Sequence, residues 1–270
     1  MRTSMSHPLW YVVGICGQNP WRYSRKCVTS QQNVQKSTDF RFDKTFEPHI
    51  NSVDNNNDIM TPKEQRNEHL AQTIIKNLQR RHIEAYYCAT GEKAVKKVSE
   101  LIADGSSVTW GGTMTVRDLG IPDALRSRGT LEVLDRDLVE TAEEKQAMYL
   151  RAFSTDVYLT SANAVSEDGV IVNIDGNGNR VAAITWGPKK VIFVIGLNKV
   201  AKTVEAALSR ARGTASPINA ARFDIKTPCQ TDGVCHNCNS PESICNYVHF
   251  LRNSPKGRHV VVLVGENLGY

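Results

Sequence analysis

No apolar run in this 270-residue chain approaches the ~20 residues that a membrane-spanning helix requires, so no membrane association is expected. Cofactor fingerprints are missing too. No strand-like run is followed by Gly-x-Gly-x-x-Gly with a helix behind it, which leaves neither flavin nor NAD with its usual binding motif. The corner Gly111-Gly112-Thr113 lacks the Gly-Lys-Ser/Thr ending of a nucleotide-hydrolase phosphate loop. Charge of one sign is scarce. The net +5 is spread along the chain, with neither the basic stripe nor the interleaved aromatics of a nucleic-acid reader, so no nucleic-acid partner is expected. That balance supports at most a preference for a small anionic metabolite. An even disulfide framework is absent as well, because the seven cysteines are odd in number and Cys16, Cys27 and Cys88 stand alone. A reducing, cytoplasmic compartment is expected.

Hydrophobic residues make up only 40% of the chain, and most of the deficit lies in its first 59 residues. The apolar patch at residues 9–16, flanked only by Arg2, is shorter and less clean than a secretory core. A Ser/Gln/Asn-rich tract then runs to Asn57 with no period that could build a core. Residues 1–59 are therefore expected to be a disordered or irregular extension, with Met60 a candidate start. Residues 60–270 are expected to form one α/β domain, long enough to bury a stable core.

That domain reads as strands alternating with helices, which predicts a mostly parallel layered sheet with helices on both faces. Thr61, Pro62 and Glu64 form a complete helix-start signal, followed by Leu70, Ile74, Ile75 and Leu78 on one face. Strands are expected at residues 85–88, 108–110, 131–134, 157–159, 191–195 and 260–264. A helix is expected over residues 92–103. Another opens at the Thr141/Glu144 capping box and is expected to bury Ala147, Leu150 and Phe153, and a third carries Val204, Ala207, Leu208 and Ala211 inward.

Residues 156–200 are expected to be the functional centre. Their Asp175-Gly176-Asn177-Gly178-Asn179 stretch tolerates positive φ and is expected to reverse a β-hairpin insertion. In an open α/β sheet, ligands bind outside the carboxyl ends of the strands. Ser161, Asn163, Ser166, Glu167 and Asp168 fall beyond one such end and Asn198 and Lys199 beyond another, with Arg180 reaching in from the hairpin. Gly111, Gly112, Thr113 and Thr115 form a third corner, where a sharp turn places hydroxyls beside helix N–H groups and suits an anion. The corners after Trp110, Leu159 and Leu197 are expected to open on one cleft. The plainer alternative is that these residues only turn, cap and solvate loops.

A Cys-rich C-terminal segment, residues 227–247, holds Cys229, Cys235, Cys238 and Cys245 in the spacing C-x5-C-x2-C-x6-C. The two-residue gap lets one turn present two thiolates to one site, so a metal centre is expected, with zinc and an iron–sulfur cluster both compatible. His236 and His249 are alternative ligands.

The Gly-Gly-Thr corner, the segment Asn163-Ala-Val-Ser-Glu-Asp-Gly-Val-Ile-Val-Asn173 with Gly-Asn-Arg180 and Gly-Leu-Asn-Lys199, and the ending Val264-Gly-Glu-Asn-Leu-Gly269 together resemble the lactate-utilisation (LUD) domain family. The resemblance covers about residues 60–270. It implies a fold similar to ribose-phosphate isomerases, glucosamine-phosphate deaminases and CoA-transferases, and a role as subunit or accessory protein in oxidising L-lactate or a similar 2-hydroxy acid beside iron–sulfur oxidoreductase subunits. In that role Lys199, Arg180 and the glycine corner hold the substrate carboxylate. Ser166-Glu167-Asp168-Gly169 is similar to the turn that carries the nucleophilic glutamate of CoA-transferases, so a second expectation is a stand-alone isomerase or transferase. Glu167 would then be the nucleophile, or Glu167 or Asp168 the base, with Lys199 the electrophile. A third is a binding module stabilised by zinc.

Overall fold

A computed structural model of the protein describes residues 60–270, so the extension expected at residues 1–59 lies outside the described residues. Helix α1 (Pro62–Arg80) starts at the capping box, where Thr61 accepts from the Glu64 N–H and the Glu64 carboxylate accepts from the Thr61 N–H. There follow β1 (Glu84–Cys88), α2 (Gly91–Glu100), β2 (Ser107–Trp110), α3 (Met114–Asp118), α4 (Ile121–Ser127), β3 (Glu132–Val133), α5 (Ala142–Ala152) and β4 (Val157–Thr160). Then come β5 (Ala164–Ser166), β6 (Ile171–Asp175), α6 (Asn179–Thr185), β7 (Lys190–Gly196), β8 (Val200–Ala201) and α7 (Val204–Arg210). The short helices α8 (Ser216–Ala220) and α9 (Pro228–Asp232) precede β9 (Tyr247–Leu251) and β10 (His259–Val264).

Six strands form one sheet in the order β1-β10-β7-β4-β2-β3, parallel at every pairing. Its central strands are apolar throughout because both faces are covered. Val191, Phe193 and Ile195 of β7 and Val261 and Leu263 of β10 pack with Ile74, Ile75 and Leu78 of α1. The alternate residues Ile192, Val194, Val260, Val262 and Val264 pack with Val98 of α2, Val116 of α3 and Leu125 of α4. Successive strand side chains point to opposite faces, so one strand feeds two cores. A second, four-stranded sheet has the order β8-β5-β6-β9. Ala207 and Ala211, from α7 and the π-helical turn after it, pack on Ala164, Val172 and Ile174 of this sheet.

Two local expectations are corrected. Asp175-Gly176-Asn177-Gly178-Asn179 does not reverse a hairpin: it ends β6 and starts α6. The Asp175 carboxylate accepts from the N–H groups of Arg180 and Val181, both at 3.0 Å, and Gly178 takes the left-handed conformation at the helix entry. Positive-φ residues suit either outcome, and the buried Val181, Ala183 and Ile184 find their partners as a helical face. The antiparallel hairpin lies one turn earlier, between β5 and β6, where Gly169 (φ 89°) passes against the backbone of α1. Helix α5 forms as expected but lies on the surface. Ala147 and Leu150 are exposed and Phe153 is half-buried, because the inward face is set by Ala152, with Met148 and Tyr149 half-covered. Among the described residues no helix is long and apolar enough to cross a membrane.

Candidate functional site

Strands β7, β4 and β2 are neighbours in the parallel sheet, so the loops after them leave the same edge. They meet around a cavity of about 390 Å³ lined by Gly112, Thr113, Thr115, Ser161, Asn163, Arg180 and Lys199. The three corners singled out in the sequence therefore converge.

Lys199 is the deepest charged group, 3% exposed, at the end of the 3-10 turn that follows β7. Its Nζ donates to Thr115 Oγ1 at 2.9 Å and to Ser161 Oγ at 3.1 Å. Burial, reinforced by the nearby Arg210 and Arg180 guanidinium groups, brings its pKa down to about 7, with Asp118 opposing weakly. Arg180 is held by neutral acceptors only. It donates to Ser161 O (3.1 Å), Asn173 Oδ1 (2.8 Å), Asn163 Oδ1 (3.1 Å) and Ile174 O (2.7 Å). Arg210 donates to the carbonyls of Asn198 and Asn163. Among the described residues none of these three cations is in a salt bridge. Arg136 and Arg222 also line the cavity, and the one acidic side chain of the lining, Asp175, is engaged in capping α6.

Gly111 is what lets Arg180 reach this place. A Cβ there would stand 2.6 Å from Tyr158 Oη and 3.2 Å from Arg180 Cδ, so only a hydrogen fits. Thr113 caps α3 with its hydroxyl, which accepts from the Val116 N–H; the corner thus satisfies its own helix start as well as lining the cavity.

Other expected site residues lie apart. Asn198 is a brace: its side chain accepts from Leu268 N at 3.1 Å and donates to Leu268 O at 3.5 Å, tying the C-terminal segment to the end of β7. Glu167 sits in the β5–β6 turn with its carboxylate on Lys202 and its carbonyl accepting from Asn77 of α1. Asp168 pairs with Arg81. Neither of these two carboxylates lines the cavity.

Several contributors were not singled out in the sequence. Arg136, Arg222 and Tyr149 of the lining, and Arg210, which holds the carbonyls of Asn198 and Asn163, come from helices and loops outside the residue 156–200 stretch. The one available signal was Arg210, a basic residue on the stripe of Ala207 and Ala211, where a surface helix carries apolar side chains.

The four clustered cysteines line a second cavity of about 160 Å³, together with Arg212, Ser216, Pro217 and His236. Ile244 lines both cavities and is a shared wall. His249 lies elsewhere, in β9 opposite Asn173.

A parallel α/β sheet with a cationic pocket beyond its strand ends defines an α/β protein whose cavity lies where such sheets leave a crevice. The chain belongs to the LUD domain family, whose match spans residues 71–264. No curated protein matches it. Among solved structures it is similar to a DUF162 family protein from Deinococcus radiodurans (14% identity over 75% of this chain and 98% of that chain, TM-score 0.43). It is also similar to ribose 5-phosphate isomerase from Plasmodium falciparum (12% identity over 46% and 54%, TM-score 0.28) and to eIF2B delta from Chaetomium thermophilum (17% over 57% and 64%, TM-score 0.30). These likenesses are too distant to carry a functional argument.

Proposed function

We propose that the larger cavity binds a small carboxylate of the 2-hydroxy or 2-oxo acid class, and that the chain serves as a subunit or accessory protein in oxidising L-lactate or a close relative. The observation that carries this reading is the buried Lys199 with the half-buried Arg180 beside it in the lining and the half-buried Arg210 nearby, none in a salt bridge with a carboxylate among the described residues. Such charges are costly to bury and draw an anion into the site. A carboxylate there answers Lys199 and the basic residues Arg136 and Arg222 of the lining.

Lys199 supplies the chemistry suited to a hydroxy acid. An amine with a pKa near 7 is partly neutral at physiological pH, so it can accept the hydroxyl proton of a C–OH while the two electrons and proton of the C–H bond pass to an acceptor carried by an oxidoreductase partner subunit, and it can return its proton in the reverse direction. The Ser161 and Thr115 hydroxyls hold it in place for that transfer.

Thermal shift with lactate, pyruvate and a sugar phosphate tests the reading. Lactate or pyruvate is expected to stabilise the chain by about 2.7 kcal/mol at a hundredfold excess over Kd. Stabilisation by the sugar phosphate alone would replace it with a phosphate-binding reading.

A further inference from the structure

The thiol cavity has a construction unlike the rest of the domain. Between Asp232 at the end of α9 and Tyr247 at the start of β9 the chain runs without helix or strand, yet it wraps a defined space and places Cys235, Cys238 and Cys245 around it, with Cys229 contributed by α9. Irregular stretches of this length inside a compact domain are uncommon unless they do something. Asn237 adopts a left-handed conformation (φ 50°) between Cys235 and Cys238, the sharp turn that lets both thiols face inward. Further hydrogen bonds pin the segment: Arg212 donates to Asn237 Oδ1, Ser240 Oγ to Lys226 O, and Asn246 to Gly176 O.

The space that the thiols border decides what they can hold. A single zinc ion at about 2.3 Å from each sulfur draws four thiolates into mutual contact. All four thiols border one space of about 160 Å³, far more than a single zinc ion fills. Thiolates around a central volume are what a polynuclear centre requires, because each iron takes its own cysteine and inorganic sulfide fills the middle. The surroundings fit such a group. Pro217 and Ala220 shield one side, and Arg212 faces the negative charge that a thiolate-ligated cluster carries.

We propose that Cys229, Cys235, Cys238 and Cys245 are the ligands of an iron–sulfur cluster seated between α8 and this irregular segment. When bound, the cluster supplies one-electron transfer, and through Ile244 it lies one side chain from the carboxylate cavity. The site stands on the thiol arrangement alone and does not require the carboxylate reading.

The test is anaerobic reconstitution of the full chain with ferrous iron and sulfide, and in parallel with zinc alone. The expected result is iron and acid-labile sulfide bound in equal amounts, with visible absorbance that bleaches under dithionite. Cys238→Ser and Cys245→Ser are each expected to lower bound iron by roughly tenfold or more. Cys88→Ala, in β1 and outside the cavity, should leave iron loading unchanged. Wild-type chain that takes up zinc without sulfide, or that binds neither, overturns the proposal. So does serine substitution that leaves the iron load intact. The wild-type spectrum decides even if a variant fails to fold, and the pyruvate thermal shift reads the other cavity separately.

Discussion

The two cavities share Ile244 and little else. The cationic one is assembled from Thr115, Ser161, Arg180 and Lys199, residues far apart in sequence, brought together because β2, β4 and β7 are adjacent in one parallel sheet. The thiol one takes all its cysteines from a single short segment folded back on α8. A site carried on strand ends inherits the rigidity of the sheet and can hold charges in an unfavourable medium. A site made by one loop has no such frame, and its geometry is tied to the group it surrounds.

If that contrast is right, disturbing one cavity should spare the other, with effects graded by how much of the sheet is involved. The largest is expected for Arg180→Ala, which withdraws four hydrogen-bond donors from the acceptors around it. A loss of about 3 kcal/mol in urea unfolding and a collapse of carboxylate binding are expected, while the iron load stays. Retained carboxylate affinity would take Arg180 out of the binding set.

Lys199→Met is next, and its sign depends on pH. The folded-state pKa is depressed to about 7 from the ordinary 10.5. Below pH 7 both states are protonated and the fold bears the whole cost of the buried ammonium. As pH rises from about 7 towards 10.5 the folded lysine is already neutral while the unfolded one still binds its proton, so wild-type stability climbs across that window. Lys199→Met is therefore expected to be more stable than wild type at pH 6, by about 2 kcal/mol, with the advantage shrinking by pH 9. Urea titrations at the two pH values check it, and a constant difference would mean that Lys199 is not a buried cation.

A paired glycine experiment is finer. Gly111→Ala pushes a methyl group against Tyr158 and Arg180 and is expected to cost about 1–2 kcal/mol and weaken carboxylate binding. Gly112→Ala meets its nearest atom only at 3.7 Å and should be near neutral in stability. Equal effects would mean that the close approach of Arg180 is not what Gly111 serves. Smallest of all is Glu167→Gln, which removes an ion pair with the exposed Lys202. A change below about 0.5 kcal/mol, with carboxylate binding intact, is expected; loss of binding would bring Glu167 back to the site.

Much of the architecture was legible in residue order. The Thr61 and Thr141 caps, the all-apolar β7 and β10, and the alternation of strand and helix announced a covered parallel sheet, because caps and periodicity are local properties. Where local signals were degenerate they misled. Glycine and asparagine with positive φ serve hairpins and helix entries alike, and the apolar residues of α5 sit on a helix that only its last turn attaches to the core. Of the residues singled out in the sequence, Lys199, Arg180, Asn163, Gly112 and Thr113 line one cavity, whereas Glu167 and Asn198 lie outside its lining. A loop residue's sequence neighbours do not say which way its side chain turns.

By itself, the order of amino acids determined that strands and helices alternate, where most of them begin, and that four thiols lie within reach of one another. Each of these follows from backbone propensity, burial period or short chain separation. Only the tertiary structure decided that Lys199 and Arg180 face one pocket with no salt-bridge partner among the described residues, and that all four thiols border one cavity. Charge pairing and interatomic separation depend on which strands become neighbours, and strand order is a choice of the whole sheet that no local stretch encodes.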